Sequence, residues 1–293
     1  MRSPTPFADR LAALEVERRS QVCLGLDPIP GQGPWSGGSG SGARDRAAAV
    51  VEIGCRELIA AAGPACVAVK PQLARFEALG APGWAALEAV VAAAHEAGLL
   101  VIADGKRGDV PVSASAYAEA LFGSTETPWG SFDGLGADAA TLNPLIGEDS
   151  LEPLVDAAAG AGAGIFVLVR TSNSGAADFL DADCGGEPLH ERIARSVAGL
   201  ADRLAGSGAF SGAGAVVGAT EPRFLARLRE LMPRAIFLLP GVGAQGGSAE
   251  RLAAAFSGPG SALVTASRSI ASAPDPGAAA EELRAQVWSI AGD

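Results

Sequence analysis

Three charged residues in close succession, Asp104, Lys106 and Asp109 in the stretch D-G-K-R-G-D, are the side chains in this sequence best suited to chemistry. They follow five apolar residues, Leu99 to Ala103, of the kind that form a strand buried on both faces. Residues two apart in a strand share a side, so Asp104 and Lys106 are predicted to project together into one cavity, with Arg107 pointing away. Asp109 then falls on the loop leaving the strand. Charges of alternating sign at the edge of a core shift one another's pKa values and create strong local fields. The competing reading is a solvated loop, the ordinary fate of charges at a strand end.

The elements that must position these groups recur along the chain. Short apolar runs are predicted as strands at Gln21–Leu26, Cys66–Val69, Leu99–Ala103, Ala137–Leu142, Ile165–Val169, Gly212–Gly218, Ala235–Leu239 and Ala262–Ala266. Polar residues gather just after them: Asp27, Lys70 before Pro71, Thr141 and Asn143, Thr171 to Asn173, Thr220, and Ser267 to Ser269. Helical patterns separate most of the strands, at Asp45–Ala62, Trp84–Ala97, Ser113–Leu121, Leu189–Leu204, Glu221–Leu231 and Ala249–Phe256, with another at Phe7–Arg19 ahead of the first. Eight strands alternating with helices predict an α/β fold, the (β/α)8 TIM barrel, as a single domain over residues 1–293. Strand ends in such a barrel share one rim, so the scattered residues converge. An Asp at a strand tip, such as Asp27, is also a common turn or cap residue. The Gly/Ser-rich run from Gly31 to Ala43 is expected to be mobile.

Gly241, Gly243 and Gly246 match G-x-G-x-x-G between a strand and a helix, which invites a dinucleotide reading. A Rossmann site would be the first turn of an open sheet, with an acidic residue ending the next strand, and here that strand ends at Ser267-Arg268. The loop reads better as the phosphate site that barrels build after strands seven and eight. Gln245 could donate to phosphate oxygens and Arg268 could supply a charge-assisted contact; the alternative is a surface arginine beside a flexible turn.

The composition, 48% hydrophobic and 19% charged, suits a well-packed soluble protein. A net charge of −11 argues against nucleic acid and anionic membranes as partners, so any positive field is local. No apolar run approaches the roughly 20 residues of a membrane span, and the first residues lack a signal-peptide core, so the expected location is cytoplasmic. Cys23, Cys55, Cys66 and Cys184 show no C-x-x-C spacing, and with only His95 and His190 there is no zinc constellation. No metal is expected.

The D-x-K-x-x-D pattern and the residues after the other strands, from about Val22 to Ile270, resemble the orotidine 5'-phosphate decarboxylase family, most of all its longer bacterial branch. The resemblance implies roles. Asp27 in L-D-P would hydrogen-bond the ribose, and Lys70, Asp104, Lys106 and Asp109 would form a charged network in which Asp109 reaches the partner subunit's site. Ser172 in R-T-S-N would meet the pyrimidine edge, and Gln245 and Arg268 the phosphate. Ser113 stands where the family usually has Thr and keeps the hydroxyl. The implied reaction takes orotidine 5'-phosphate to UMP without a cofactor, with Lys106 delivering the proton to C6, in a homodimer with shared sites. Two alternatives remain: a magnesium-dependent aldolase or decarboxylase of the sister phosphosugar group, and a non-catalytic barrel that senses a phosphorylated metabolite. The first would place an acidic residue where Lys70 stands; the second has no need of four alternating charges.

Overall fold

The structure, a computed structural model, describes residues 4–37, 42–219, 222–241 and 249–291. Eight parallel strands close into a barrel: β1 (Val22–Leu26), β2 (Ala68–Pro71), β3 (Leu100–Arg107), β6 (Ala139–Leu142), β7 (Gly164–Arg170), β8 (Ser211–Val217), β9 (Ala235–Pro240) and β10 (Ala262–Ala266). The remaining two, β4 (Ser124–Thr127) and β5 (Gly130–Asp133), form a separate antiparallel hairpin. Round the barrel the order is β1, β10, β9, β8, β7, β6, β3, β2, so that β1 pairs with both β10 and β2. The apolar runs read as strands because both faces are covered. Inward side chains such as Ile102, Phe166, Ile236 and Leu263 fill the barrel, while outward ones meet the helices.

The helix Phe7–Arg18 plugs the end of the barrel where the strands begin. Phe7 stands edge-on to Phe166, with ring centroids 5.9 Å apart, and a Cβ on Gly164 at the start of β7 would come within 2.6 Å of the Phe7 ring. With that end closed, ligands have access at the other rim.

Some expectations change. The stretch from Gly31 onward is anchored rather than mobile over its first half, because its single large apolar residue finds a site. Gly33–Trp35 form a 3-10 turn, and Trp35 buries against the helix Ala43–Ala62. Gly54 makes room for it, since a Cβ there would lie 2.5 Å from the Pro34 carbonyl oxygen. Residues 38–41 and Thr220 lie outside the described residues. The hairpin and the helices Glu152–Ala161 and Pro276–Ala291 were not anticipated. Among the described residues no helix is long and apolar enough to cross a membrane.

Candidate active site

At the open rim lies a cavity of about 440 Å³ lined from most of the barrel strands. Its charged floor is built where β3 meets β6. Ala103 pairs with Ala140 and Arg107 with Leu142, so three residues of β3, Asp104 to Lys106, face the single residue Thr141. This bulge bends the strand and re-aims its side chains. Lys106 takes a left-handed backbone conformation with φ of 48°, unusual for a residue with a Cβ. Asp104 and Lys106 do share the cavity, as expected. The cause is the bulge, however, and not simple alternation.

Asp104 is the hub of this floor. Lys70 donates to its Oδ2, Lys106 Nζ donates to Oδ1 at 2.6 Å, Thr141 Oγ1 donates to Oδ1 at 2.9 Å, and Gln72 Nε2 reaches Oδ2 at 3.3 Å. Burial by itself would raise the Asp104 pKa, but the Lys70 and Lys106 ammonium groups outweigh it and hold the carboxyl well below its usual range. For Lys70, burial favours the neutral form, and the neighbouring Asp104 and Asp27 carboxylates reverse this and raise its pKa. Both groups are therefore ionised. Lys70 is locked in the floor, whereas the Lys106 side chain is 44% exposed and faces the cavity. It is the ammonium available to a ligand.

Arg107 points outward, as expected: it pairs with Glu77 and lies 5.2 Å from the centre of the Tyr117 ring. Gln72 and Thr141 were given no role in the sequence reading. Gln72 had a signal, since it stands two residues beyond Lys70 and an extended chain returns it to the same side. Thr141 stood among the polar residues at the strand ends, but its partners lie 35 and 37 residues away, so nothing local marked which groups it bridges.

Two and three strands round from β3, the ends of β1 and β10 form another wall. Ser267 donates to Asp27, and Arg268 opens the short helix Arg268–Ala271 at the cavity edge. Gly241 contributes from the end of β9. Gln245, expected to meet the phosphate, lies outside the described residues, as do Gly243 and Gly246. Ser172 lines the cavity beside Thr171 and Asn173. Gly218 is pressed against it, and a Cβ there would come within 2.7 Å of the Ser172 Cα.

Two of the expected residues do not join this cavity. Asp109 is half-buried on the loop after β3, where its carboxylate accepts the Val110 amide at 2.8 Å. Ser113 is exposed on the first turn of the helix Pro111–Phe122. Neither lines the cavity of its own chain.

Among the described residues no group of three or more His, Cys, Asp or Glu side chains could hold a metal ion. Cys23, Cys55 and Cys66 are buried thiols, and burial pushes those of Cys55 and Cys66 up to about 12. Cys184 is half-buried.

The geometry has counterparts in known proteins. A sequence model described as Orotidine 5'-phosphate decarboxylase / HUMPS family matches residues 20–283. A protein of Deinococcus radiodurans named orotidine 5'-phosphate decarboxylase is 43% identical over 283 residues, covering 95% of this chain and 94% of that one. The solved structure of Leishmania donovani OMP decarboxylase superimposes with a TM-score of 0.78 at 33% identity, covering 98% of this chain and 99% of that one. Leishmania donovani UMP synthase matches with a TM-score of 0.79 at 35% identity over 98% of this chain, which spans only 57% of that longer protein. By its sequence over residues 20–283 and by its closed barrel, this chain belongs to the orotidine 5'-phosphate decarboxylase / HUMPS family.

Proposed function

We propose that this chain decarboxylates orotidine 5'-phosphate to UMP in de novo pyrimidine biosynthesis, with the cavity at the open rim as its site. The observation that carries the reading is the triad Lys70, Asp104 and Lys106, charges of alternating sign in contact, with Lys106 the more exposed of the two lysines that line the cavity. Arg268 on the same rim would take the phosphate, Asp27 the ribose and Ser172 the pyrimidine edge. Gln245 would add a second phosphate contact.

Breaking the bond from C6 to the carboxylate releases neutral CO2 and leaves the electron pair at C6, in the plane of the ring. The π-system cannot delocalise that pair well. A cation already in place stabilises it without reorganisation. Lys106 would supply that charge and then pass a proton to C6, regaining one from solvent. Asp104 beside the substrate carboxylate would disfavour the ground state relative to a transition state in which that charge is leaving. Lys70 would keep Asp104 ionised and oriented. Binding energy from the phosphate, remote from the reacting carbon, would help to order the site around the ring.

Asp109 and Ser113, outside the cavity of their own chain, would serve the site of a second copy in a two-fold homodimer with shared sites. We place the enzyme in the cytoplasm. The test is loss of the orotate chromophore on adding orotidine 5'-phosphate, followed in excess EDTA. Both Asp104 oxygens are taken by ammonium groups, so turnover is expected to persist. Turnover only with added magnesium would move the chain to a metal-dependent chemistry.

A further inference from the structure

Next to the cavity, and lining none of it, lies a cluster that the chemistry above does not use: Arg170, Asp181 and His190. Arg170 ends β7 and is almost fully buried. Its guanidinium meets the Asp181 carboxylate twice, Nε to Oδ1 at 2.8 Å and Nη2 to Oδ2 at 3.1 Å, the fork geometry that gives arginine pairs their directional strength. The third nitrogen, Nη1, donates to the Thr171 carbonyl oxygen at 2.9 Å. The pair therefore closes the segment from β7 through Thr171, Ser172 and Asn173 and the short helix Ala176–Leu180 back to Asp181.

The latch is itself held. His190 Nδ1 lies 2.7 Å from the Leu180 carbonyl oxygen and 3.2 Å from Asp181 Oδ1, two acceptors that require a hydrogen on that nitrogen. Phe224 stands edge-on to His190 with centroids 5.0 Å apart, and the Arg170 guanidinium lies 4.9 Å from the Phe224 ring centre. Arg170 lowers the Asp181 pKa, which keeps the latch charged. The backbone adds to this. Leu168 pairs with Val216 and Arg170 with Val217, so Val169 is an extra residue that re-aims the end of β7, and the Arg170 carbonyl oxygen accepts the Gly218 amide at 2.7 Å. Only the Arg170 end of this ion pair is buried, and that charge is costly to desolvate, so the pair is a weak source of stability; one use for such a pair is to fix a single local arrangement.

We propose that Asp181, acting through the Arg170 guanidinium, is a positioning residue that shapes the Thr171–Asn173 edge of the cavity to take the pyrimidine ring. It would set affinity for the base without touching the phosphate. This rests on the function proposed above, in which that edge meets the ring.

Asp181 is partly exposed, so Asp181→Asn keeps the shape and removes the charge at little risk to folding. Titration calorimetry with UMP and with ribose 5-phosphate, which keeps the sugar and phosphate but has no base, separates the two ends of the site. The expected result is a roughly tenfold weaker UMP affinity and a KM raised by a similar factor, with ribose 5-phosphate affinity unchanged and kcat within about twofold of wild type. Arg170→Lys, which keeps the charge and loses the fork, should follow the same pattern, and Asp181→Glu should recover part of the loss. Equal weakening of both ligands with a lowered melting temperature would assign Asp181 a merely structural role and overturn the proposal, as would unchanged UMP affinity. Failure of the wild-type protein to bind UMP would instead overturn the function itself, and this inference with it.

Discussion

The main-chain amide of Lys106 donates to the buried hydroxyl of Thr141 at 2.9 Å, and the same hydroxyl donates to Asp104 Oδ1 at 2.9 Å. One oxygen thus fixes both the backbone of the exposed ammonium residue and the carboxylate beneath it. A left-handed residue that is not glycine costs on the order of 1–3 kcal/mol and persists only where its surroundings impose it.

Thr141→Val keeps the size of the side chain and removes both hydrogen bonds. The expected outcome is a fall in kcat of roughly 10- to 100-fold, about 1.4 kcal/mol of barrier per factor of ten, with UMP affinity little changed. Thr141→Ser should restore most of the rate. Steady-state kinetics with UMP titrations check this, and a serine variant as slow as the valine one would show that the hydroxyl is not what matters.

How much of this was legible in the sequence follows from where each interaction is encoded. The barrel was readable because strands covered on both faces appear as unbroken apolar runs, and β1, β9 and β10 fall almost where those runs do. Lys70 and Asp27 were readable as polar residues stranded at the ends of such runs. The bulge in β3 was not, since it arises from pairing with β6 and leaves no local mark. The hairpin escaped because its residues, Trp129 and Phe132 included, are mostly exposed and bury no periodic face. Over Pro276–Ala291 only Ala280 and Val287 are fully buried, too few to show a helical stripe. The Arg170 latch was hidden for a different reason. Its partners lie 11 and 20 residues away by number and meet only once β7 and the following helix are in place.

Arg268→Ala removes the described cation at the expected phosphate end of the cavity. A charge-assisted contact contributes roughly 1.5–3 kcal/mol, so UMP should bind about 10- to 150-fold more weakly. Uridine, without the phosphate, should bind both proteins alike. Calorimetry with the two ligands tests it, and equal losses for both would place Arg268 away from the phosphate.

Acid stability should depend on Asp138, far from the cavity where β6 begins. Burial would raise its pKa, but His95, Arg10 and the Val101 amide outweigh this and hold it below the usual carboxylate range. A lowered folded-state pKa contributes stability that is present above the unfolded value of about 3.9 and is lost as pH falls through the folded value. Asp138→Asn should therefore cost on the order of 1–3 kcal/mol at pH 7, and the difference from wild type should shrink as pH drops below about 4. Urea denaturation at several pH values measures it. A difference that stays constant down to pH 3 would show that the Asp138 charge is not the source.

Asp109 stands outside its own cavity, while Lys106 faces into it, and this separation sets up a test of shared sites. Lys106→Ala should lower turnover by on the order of 10²–10³-fold or more while leaving UMP binding largely intact, because the ammonium acts on charge that develops in the transition state. Asp109→Ala should be similarly impaired, but through the neighbouring subunit. In a two-fold dimer a site would take Lys106 from one chain and Asp109 from the other. A heterodimer of the two variants then holds one site with both residues intact and one with neither. Random exchange of equal amounts makes half the dimers mixed, so roughly a quarter of all sites should regain activity. Mixing the two inactive proteins under exchange conditions, with heterodimers verified by mass, and following the orotate absorbance gives the answer. No recovery in verified heterodimers would mean that Asp109 serves its own chain.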